Sequence, residues 1–572
     1  MKKGNDAGKR WTAAVALVIL MFCEWFFFRN VIGGEGGALF GDRGDGRLTT
    51  LLTEHWWNFF TGKEKFSELA MFYPAEGVMG YTDLLLAYGL LHSLLRLAGF
   101  NMFAAYKWTI IISHCMGTLT MYYLLKKKLG LRMQWALFGT LAFSFSDTYA
   151  RDLCHTQLGA ISFLPVLLIL FTGFLENFGS RKKRNIYAYA CIGWFVLLTY
   201  NSWYVAWFTG MFSLVFLIVF FVRFKVGGVA VIPALKEKGK LPCMEIAGWI
   251  LFLIVLYLPF IMIYLPVLRD SSGYSYASCA SLLPECIDIV NVSEDNWMLG
   301  GILRKLHLSD RGYSHEVVQG FSVILLGFFV GLGMAEVRRG RGVTDAKDKG
   351  GNFAAGLAGS VCIAIVVCVA LTVRLGSNGV SLWMLVYYCV PTAKSVRAVA
   401  RFLLWLSFPM SVVTACMADR AIHWKHRGAE FCVSLCAVIL LFASNINVVG
   451  VSHHWSLSEE MHFITNVAEP PKDAQVFYMI DTARTGDPMH IYQLDAFEIA
   501  TWYSLKTING YSGQYPAGWD GIWNVCLDGY ESSVDQWVSA YGLDHVYAYD
   551  RAGNVWIPHR GGSAVSDPEE SG

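Results

Sequence analysis

Long apolar runs separated by short basic clusters set the pattern of this chain. A helix needs about 20 apolar residues to cross roughly 30 Å of hydrocarbon, and the cytoplasmic connections of such helices collect Lys and Arg. The clusters here are Lys2, Lys3, Lys9 and Arg10; Lys126, Lys127 and Lys128 with Arg132; Arg181, Lys182, Lys183 and Arg184; the stretches 223–240 and 338–349; and Arg420, Lys425 and Arg427. All of them fall on one side if spans run near 11–31, 105–125, 134–149, 157–176, 186–201, 203–222, 246–267, 317–336, 354–373, 399–417 and 430–449. That predicts about eleven spans, with the N-terminus cytoplasmic and the C-terminus extracytoplasmic. The opening MKKGNDAGKR and the apolar run after it read as an uncleaved first span, because no small-residue cleavage site follows.

One apolar run does not fit. Residues 83–99 would make a helix of only about 25 Å, and counting it as a span would move the Lys126 cluster outside. It is read as an interfacial helix on the outer surface, with Thr82 or Asp83 as its N-cap. The first external loop then covers 32–104, too long for a plain connector. Other external pieces are the turn at 149–157, a loop from Arg269, the segment 374–400, and the tail. In the tail, AQVFYMID and HVYAYD read as buried strands and VDQWVSAYG suits a helix. The expected fold is a polytopic α-helical membrane protein, multi-pass in the plasma (cytoplasmic) membrane. Its transmembrane module is 1–450, with interfacial helices in the first external loop, and a small extracytoplasmic α/β domain is 451–572.

Composition agrees with lipid as solvent: 55% of the 572 residues are hydrophobic and 16% charged. The net charge of +2 gives no basic surface for nucleic acid. The 14 cysteines contain no CxxC pair, which argues against a zinc module. Cys279 and Cys286 share an external loop and are a candidate disulfide.

The densest polar stretch opens the first external loop. Asp42, Arg43, Asp45 and Arg47 stand among glycines ahead of LTTLLTEHWWNFF, where Leu48, Leu51, Leu52, His55, Trp56 and Phe59 share one helical face. A carboxylate at the start of an interfacial helix can serve as base or metal ligand; equally, Asp45 can cap the helix while Asp42 closes a glycine turn. Glu54 and His55 can be its polar edge. FYPAEGVMGYTD adds Glu76, read as structural, and Asp83, which can simply be a cap. In RDLCHTQLG, His155 and Gln157 lie on the same outer side, where an imidazole can donate to a phosphate or a sugar hydroxyl or simply face solvent. Lys394, Arg397 and Arg401, spaced i, i+3 and i+7, put three cations on one helical face at an outer N-terminus, which suits phosphate; snorkelling to headgroups is the alternative. Tyr511, Tyr515 and Trp519 in INGYSGQYPAGWD can stack on sugars or pack the tail.

The order of these elements resembles the GT-C superfamily of membrane glycosyltransferases: GDRGDGR, then Glu54 and His55, the FYP…D segment, the HTQ turn and RAVARF. The resemblance implies transfer of a sugar from a polyprenyl-phosphate donor to a glycan, lipid or protein acceptor on the extracytoplasmic face, generally with inversion. Asp42 is then the first candidate for base and Asp45 the second. Arg47, Glu54, His55, Asp83, His155, Gln157, Lys394, Arg397 and Arg401 become candidate substrate-binding residues. Some members bind a divalent metal through such acids, but the DxxD spacing departs from their DxD and leaves metal binding by Asp42 and Asp45 open. Two other readings compete. A lipid-linked glycan flippase would carry ionisable residues near the midplane and repeat symmetry, neither of which is seen. A non-catalytic glycolipid-binding relative would keep the fold without the reaction.

Overall fold

The structure, a computed structural model, describes residues 2–33, 37–226, 242–270, 273–306, 314–339, 349–376, 380–422, 427–451 and 454–559. The basic stretches 227–241 and 340–348 and Lys425, which enter the expected orientation, lie outside the described residues. Each expected span carries a helix: Lys2–Phe27, Met102–Tyr123, Met133–Ser144, Leu164–Glu176, Arg181–Asn201, Trp203–Val226, Cys243–Asp270, Val323–Arg339, Lys349–Thr372, Arg401–Ala421 and Arg427–Ser444. Among the described residues, four stretches are long and apolar enough to cross a membrane: Thr156–Glu176, Trp203–Arg223, Cys243–Arg269 and Arg401–Ala421. The chain is a membrane protein, and among the described residues four of the eleven expected spans are this long and apolar. Met133–Ser144 shows one reason: it stops after 12 residues, and Ser146 then caps a separate short helix, Asp147–Asp152, by accepting the Tyr149 N–H.

The described residues contain eight short strands: β1 (Ala38–Phe40), β2 (Arg374–Leu375), β3 (Val380–Ser381), β4 (His454–Ser456), β5 (Val476–Ile480), β6 (Lys506–Thr507), β7 (Val546–Asp550) and β8 (Val555–Pro558). The chain packs as two compact units. The first comprises residues 1–34, 110–258 and 271–453, and the second 35–109, 259–270 and 454–572.

In the first unit, the helix Met133–Ser144 is buried from Trp135 onward and packs against Arg401–Ala421. Gly139 makes the approach, since a Cβ there would stand 2.9 Å from the Ala415 Cβ; small residues let apolar helices come this close. His114 sits between helices, 2.9 Å from the Glu24 carboxylate and 2.7 Å from the Ser144 carbonyl, so neither buried polar side chain is left without a partner. β2 pairs antiparallel with β3. Cys279 is buried, Cys286 is exposed, and both are free thiols, so the candidate disulfide is not formed. Cys279 instead turns its Sγ to the Val396 carbonyl at 3.4 Å.

In the second unit, the segment that opens the first external loop and the tail fold together. β1 runs antiparallel to β4, with Leu39 opposite Trp455. The tail forms a four-stranded sheet in the order β6-β5-β7-β8, where β5 is parallel to β6 and β7, and β8 closes the edge antiparallel. The strands read in AQVFYMID and HVYAYD are β5 and β7, and the helix read at VDQWVSAYG is Tyr530–Tyr541. The first-loop helices differ from expectation. Asp45–Phe60 is buried on nearly every side, with Thr49, Thr50, Thr53, Glu54 and Asn58 as enclosed as its leucines. It behaves as a core helix of this unit rather than one with a broad exposed polar face, because its polar groups find partners inside. The run 83–99 yields a helix only over Leu86–Leu97, and the residue before it is Leu85 in a left-handed conformation (φ 52°), so neither Thr82 nor Asp83 caps it.

Candidate functional site

The acidic loop is shaped by glycine. Gly41 has φ 84°, a conformation that suits a residue without Cβ. Asp42 follows, exposed, and its Oδ1 accepts the Gly44 N–H at 2.9 Å. Asp45 is the first residue of the helix Asp45–Phe60, whose N-cap is Gly44 without a side-chain bond, and it accepts a hydrogen bond from the Tyr511 hydroxyl at 3.3 Å. Asp42 therefore closes the glycine turn while still facing outward, but Asp45 does not cap the helix, because the N-cap position falls on Gly44. His490, half-buried at the start of the helix Met489–Tyr503, comes to the same place: a Cβ on Gly44 would lie 3.1 Å from the Asp42 Oδ1 and 3.6 Å from the His490 Nε2. The His490 ring is 5.9 Å from that of Tyr511, and Tyr511 lies nearly parallel to Trp523. Two carboxylates, an imidazole and two half-buried aromatic rings thus share one patch of the second unit.

Two residues after Asp45, Arg47 turns inward and is completely enclosed. It pairs with Glu460 and Asp495 and, at 3.0 Å, with Glu498. Burial by itself would weaken its hold on the proton; the three carboxylates outweigh this and raise its pKa above the ordinary arginine value. Arg551 joins from the end of β7, its Nε 2.7 Å from Asp495 and its guanidinium over the Tyr492 ring. Glu498 stays protonated well above the usual carboxylate range, first because it is buried and then because it faces Glu460, with Arg47 opposing both. The expectation that Arg47 contacts substrate is not what this geometry provides; it anchors the acidic loop to the tail helices.

Glu54 and His55 are likewise taken up internally. The Glu54 carboxylate is 2.7 Å from the His92 Nε2 and 3.1 Å from the Arg96 Nε, joining Asp45–Phe60 to Leu86–Leu97. His55 Nδ1 is 2.6 Å from Glu64. Both side chains are almost fully buried, while Asp83 is half-buried just ahead of Leu86–Leu97.

The cations of the first unit do not share a helix. Thr392 is left-handed (φ 65°), a short 3-10 turn covers Ala393–Ser395, and Val396 is extended, so the helix begins only at Arg401. Lys394 is exposed, with its Nζ over the Tyr387 ring, and Arg397 is half-buried over Tyr274. Arg401 is buried and grips Glu316 with two nitrogens, Nε at 3.1 Å and Nη2 at 3.0 Å. His155 and Arg397 approach the same carboxylate at 3.9 and 4.0 Å. His155 thus belongs with this cluster, and Gln157 lies half-buried two residues on, in the turn Thr156–Phe163. Beside the 392–397 segment runs an apolar groove of about 260 Å³ lined by Trp203, Trp207, Met211, Leu214 and Val390. The two indoles hold the segment: Trp203 Nε1 donates to Ser395 Oγ at 2.7 Å and Trp207 Nε1 to Thr392 Oγ1 at 3.2 Å.

No protein-family model and no curated protein sequence matches the chain. Among solved structures, it is similar to the arabinofuranosyltransferase AftD from Mycobacteria, with 13% identity and a TM-score of 0.43 over 82% of this chain and 29% of that one. It is also similar to the oligosaccharyltransferase of Archaeoglobus fulgidus, with 12% identity and a TM-score of 0.43 over 86% of this chain and 62% of that one. The chain therefore spans under a third of the first enzyme's length and under two thirds of the second's.

Among the described residues, no group of three or more His, Cys, Asp or Glu is placed to hold a metal ion. Sequence reasoning did not select Glu316 or His490. Glu316 sits ahead of the run read as span 317–336, and His490 starts a helix with no charged neighbour to mark it. What singles them out is contact with residues far away in the chain.

Proposed function

We propose that the chain is a membrane glycosyltransferase that moves a sugar from a polyprenyl-phosphate-linked donor to an acceptor on the extracytoplasmic face, with inversion. The observation that carries this reading is the apolar groove whose two tryptophans are hydrogen-bonded to the turn bearing Lys394 and Arg397. An isoprenoid tail needs an apolar wall, and its phosphate needs cations at the end of that wall; guanidinium and ammonium groups stabilise the charge that grows as the phosphate leaves. Arg401 is held by Glu316 and acts by positioning, so Lys394 and Arg397 are the phosphate ligands in this reading.

In this reading Asp42 is the base and Asp45 the supporting carboxylate. The acceptor hydroxyl gives its proton to Asp42, its oxygen bonds to the anomeric carbon, and the bond from that carbon to the phosphate oxygen breaks, releasing prenyl phosphate. Asp42 has the outward exposure this needs. A divalent metal held by Asp42 and Asp45 is compatible with the carboxylates but is not required by the step.

The test is consumption of a labelled prenyl-phosphate sugar by the protein in liposomes. Transfer predicts free prenyl phosphate appearing in step with glycosylated product, and Lys394→Ala/Arg397→Ala raising KM for the donor. A flippase would move the lipid across without consuming it, and a binder would retain it unchanged.

A further inference from the structure

The polar and aromatic patch beside Asp42 carries more information than a base requires. Tyr511 and Trp523 lie with centroids 6.2 Å apart and planes 26° from parallel. Trp523 packs against Trp519, which is fully buried, 6.4 Å away, and donates its Nε1–H to the Ile508 carbonyl at 2.8 Å. Tyr515, 46% exposed, packs on the same Trp519 at 5.5 Å and extends the aromatic surface outward. Beside these rings stand three polar side chains: Asp45, which accepts the Tyr511 hydroxyl, and Asp42 and His490, which both border Gly44. The stretch that builds the surface, YSGQYPAGWDGIW, has a single branched aliphatic residue, Ile522, and that residue is fully buried.

Resting on the glycosyltransferase reading, we propose that Tyr511 and Trp523, with Tyr515 as an extension, form a saccharide-binding shelf, and that the acceptor of the transfer is itself a glycan. A sugar ring presents an apolar C–H face and a rim of hydroxyls, so it needs a rigid aromatic face with hydrogen-bonding groups at its margin. That is the arrangement of these residues. A lipid acceptor would be met by exposed aliphatic side chains, which the stretch lacks. A peptide acceptor would be met by an open strand edge, and the shelf is built from turns and the short 3-10 helix Asp520–Ile522. His490 and Asp45 orient the acceptor hydroxyls, and Asp42 takes the proton.

The experiment titrates the full chain in detergent with gluco-, galacto- and manno-tetrasaccharides, following tryptophan fluorescence, with dodecanol and a neutral octapeptide as controls. At least one tetrasaccharide binds and the controls do not. Tyr511→Ala and Trp523→Ala each weaken that binding about ten-fold or more. Tyr511→Phe, which keeps the ring and loses only the bond to Asp45, stays within a few-fold of wild type and guards against misfolding as the cause. Failure of every tetrasaccharide to bind overturns the shelf, as does binding unchanged in both alanine variants. Saccharide binding without any transfer from prenyl-phosphate sugar leaves the shelf standing and removes the glycosyltransferase reading, so the two failures are distinguishable.

Discussion

Arg47 in the second unit and Arg397 in the first are both guanidinium groups among the candidate substrate-binding residues, and they end in opposite situations. Arg47 has no exposed side-chain surface and three carboxylates around it; Arg397 is 42% exposed, with Glu316 at 4.0 Å. Arg401 falls between, buried and committed to Glu316. An enclosed guanidinium fixes structure, because its carboxylates would be stranded without it, whereas an exposed one keeps donors for a ligand. The difference lies in residues hundreds of positions away, since the partners of Arg47 are at 460, 495 and 498.

The sharpest break of this comparison is Arg47→Ala. Removing one partner of a buried ion pair costs about 3–5 kcal/mol, and here Glu460, Asp495 and Glu498 lose their shared partner together. The expected outcome is a large drop in Tm in detergent, or loss of folded protein on size exclusion. A Tm within a degree or two of wild type would mean that Arg47 does not tie the acidic loop to the tail.

Next in size is the pH response of the same cluster. Glu498 holds its proton in the folded protein far above the value of a free glutamate, about 4.3, because it is buried and faces Glu460. A group whose folded pKa is raised gives its full stabilisation below the unfolded value and loses it as pH climbs toward the folded one. Stability should therefore fall from about pH 4.3 upward, by at most about 1.4 kcal/mol per pH unit from this group. Glu498→Gln, which imitates the protonated form, should flatten that slope. An unchanged Tm-against-pH profile in the variant would remove Glu498 as its source.

The smallest effect on stability belongs to Arg397→Ala and Lys394→Ala, surface changes expected within about 0.5 kcal/mol. Their effect appears instead in donor binding, where losing a charge-assisted hydrogen bond of about 1.5–3 kcal/mol raises KM roughly ten- to a hundred-fold. If they lower Tm as Arg47→Ala does while leaving KM alone, the contrast between the two arginines collapses.

The helices were legible in the sequence because apolar runs and basic clusters are local signals. All eleven predicted positions carry a helix, and the tail strands at 476–480 and 546–550 form where short apolar runs placed them. Helix starts were harder. The regular spacing of Lys394, Arg397 and Arg401 suggested one helical face, but the left-handed Thr392 and the extended Val396 delay the helix to Arg401. Within 83–99 the helix Leu86–Leu97 is short, and the position before it is Leu85 in a left-handed conformation rather than a capping Thr82 or Asp83. In the candidate site, Asp42 and Asp45 stood out through the glycines around them. His490 and Glu316 did not, because nothing in the chain beside them announces the residues they meet.

In the proposed reaction Asp42, assisted by Asp45, takes the acceptor proton during glycosyl transfer. Its most direct test is single-turnover transfer of a labelled sugar from prenyl phosphate in liposomes by wild type, Asp42→Asn and Asp45→Asn. Both variants should fold as wild type, since Asp42 is exposed and Asp45 only half-buried. Removing the base should slow the chemical step about a hundred-fold or more in Asp42→Asn, with a smaller loss in Asp45→Asn and donor binding intact in both. Transfer at the wild-type rate by the Asp42→Asn/Asp45→Asn double variant would contradict the account.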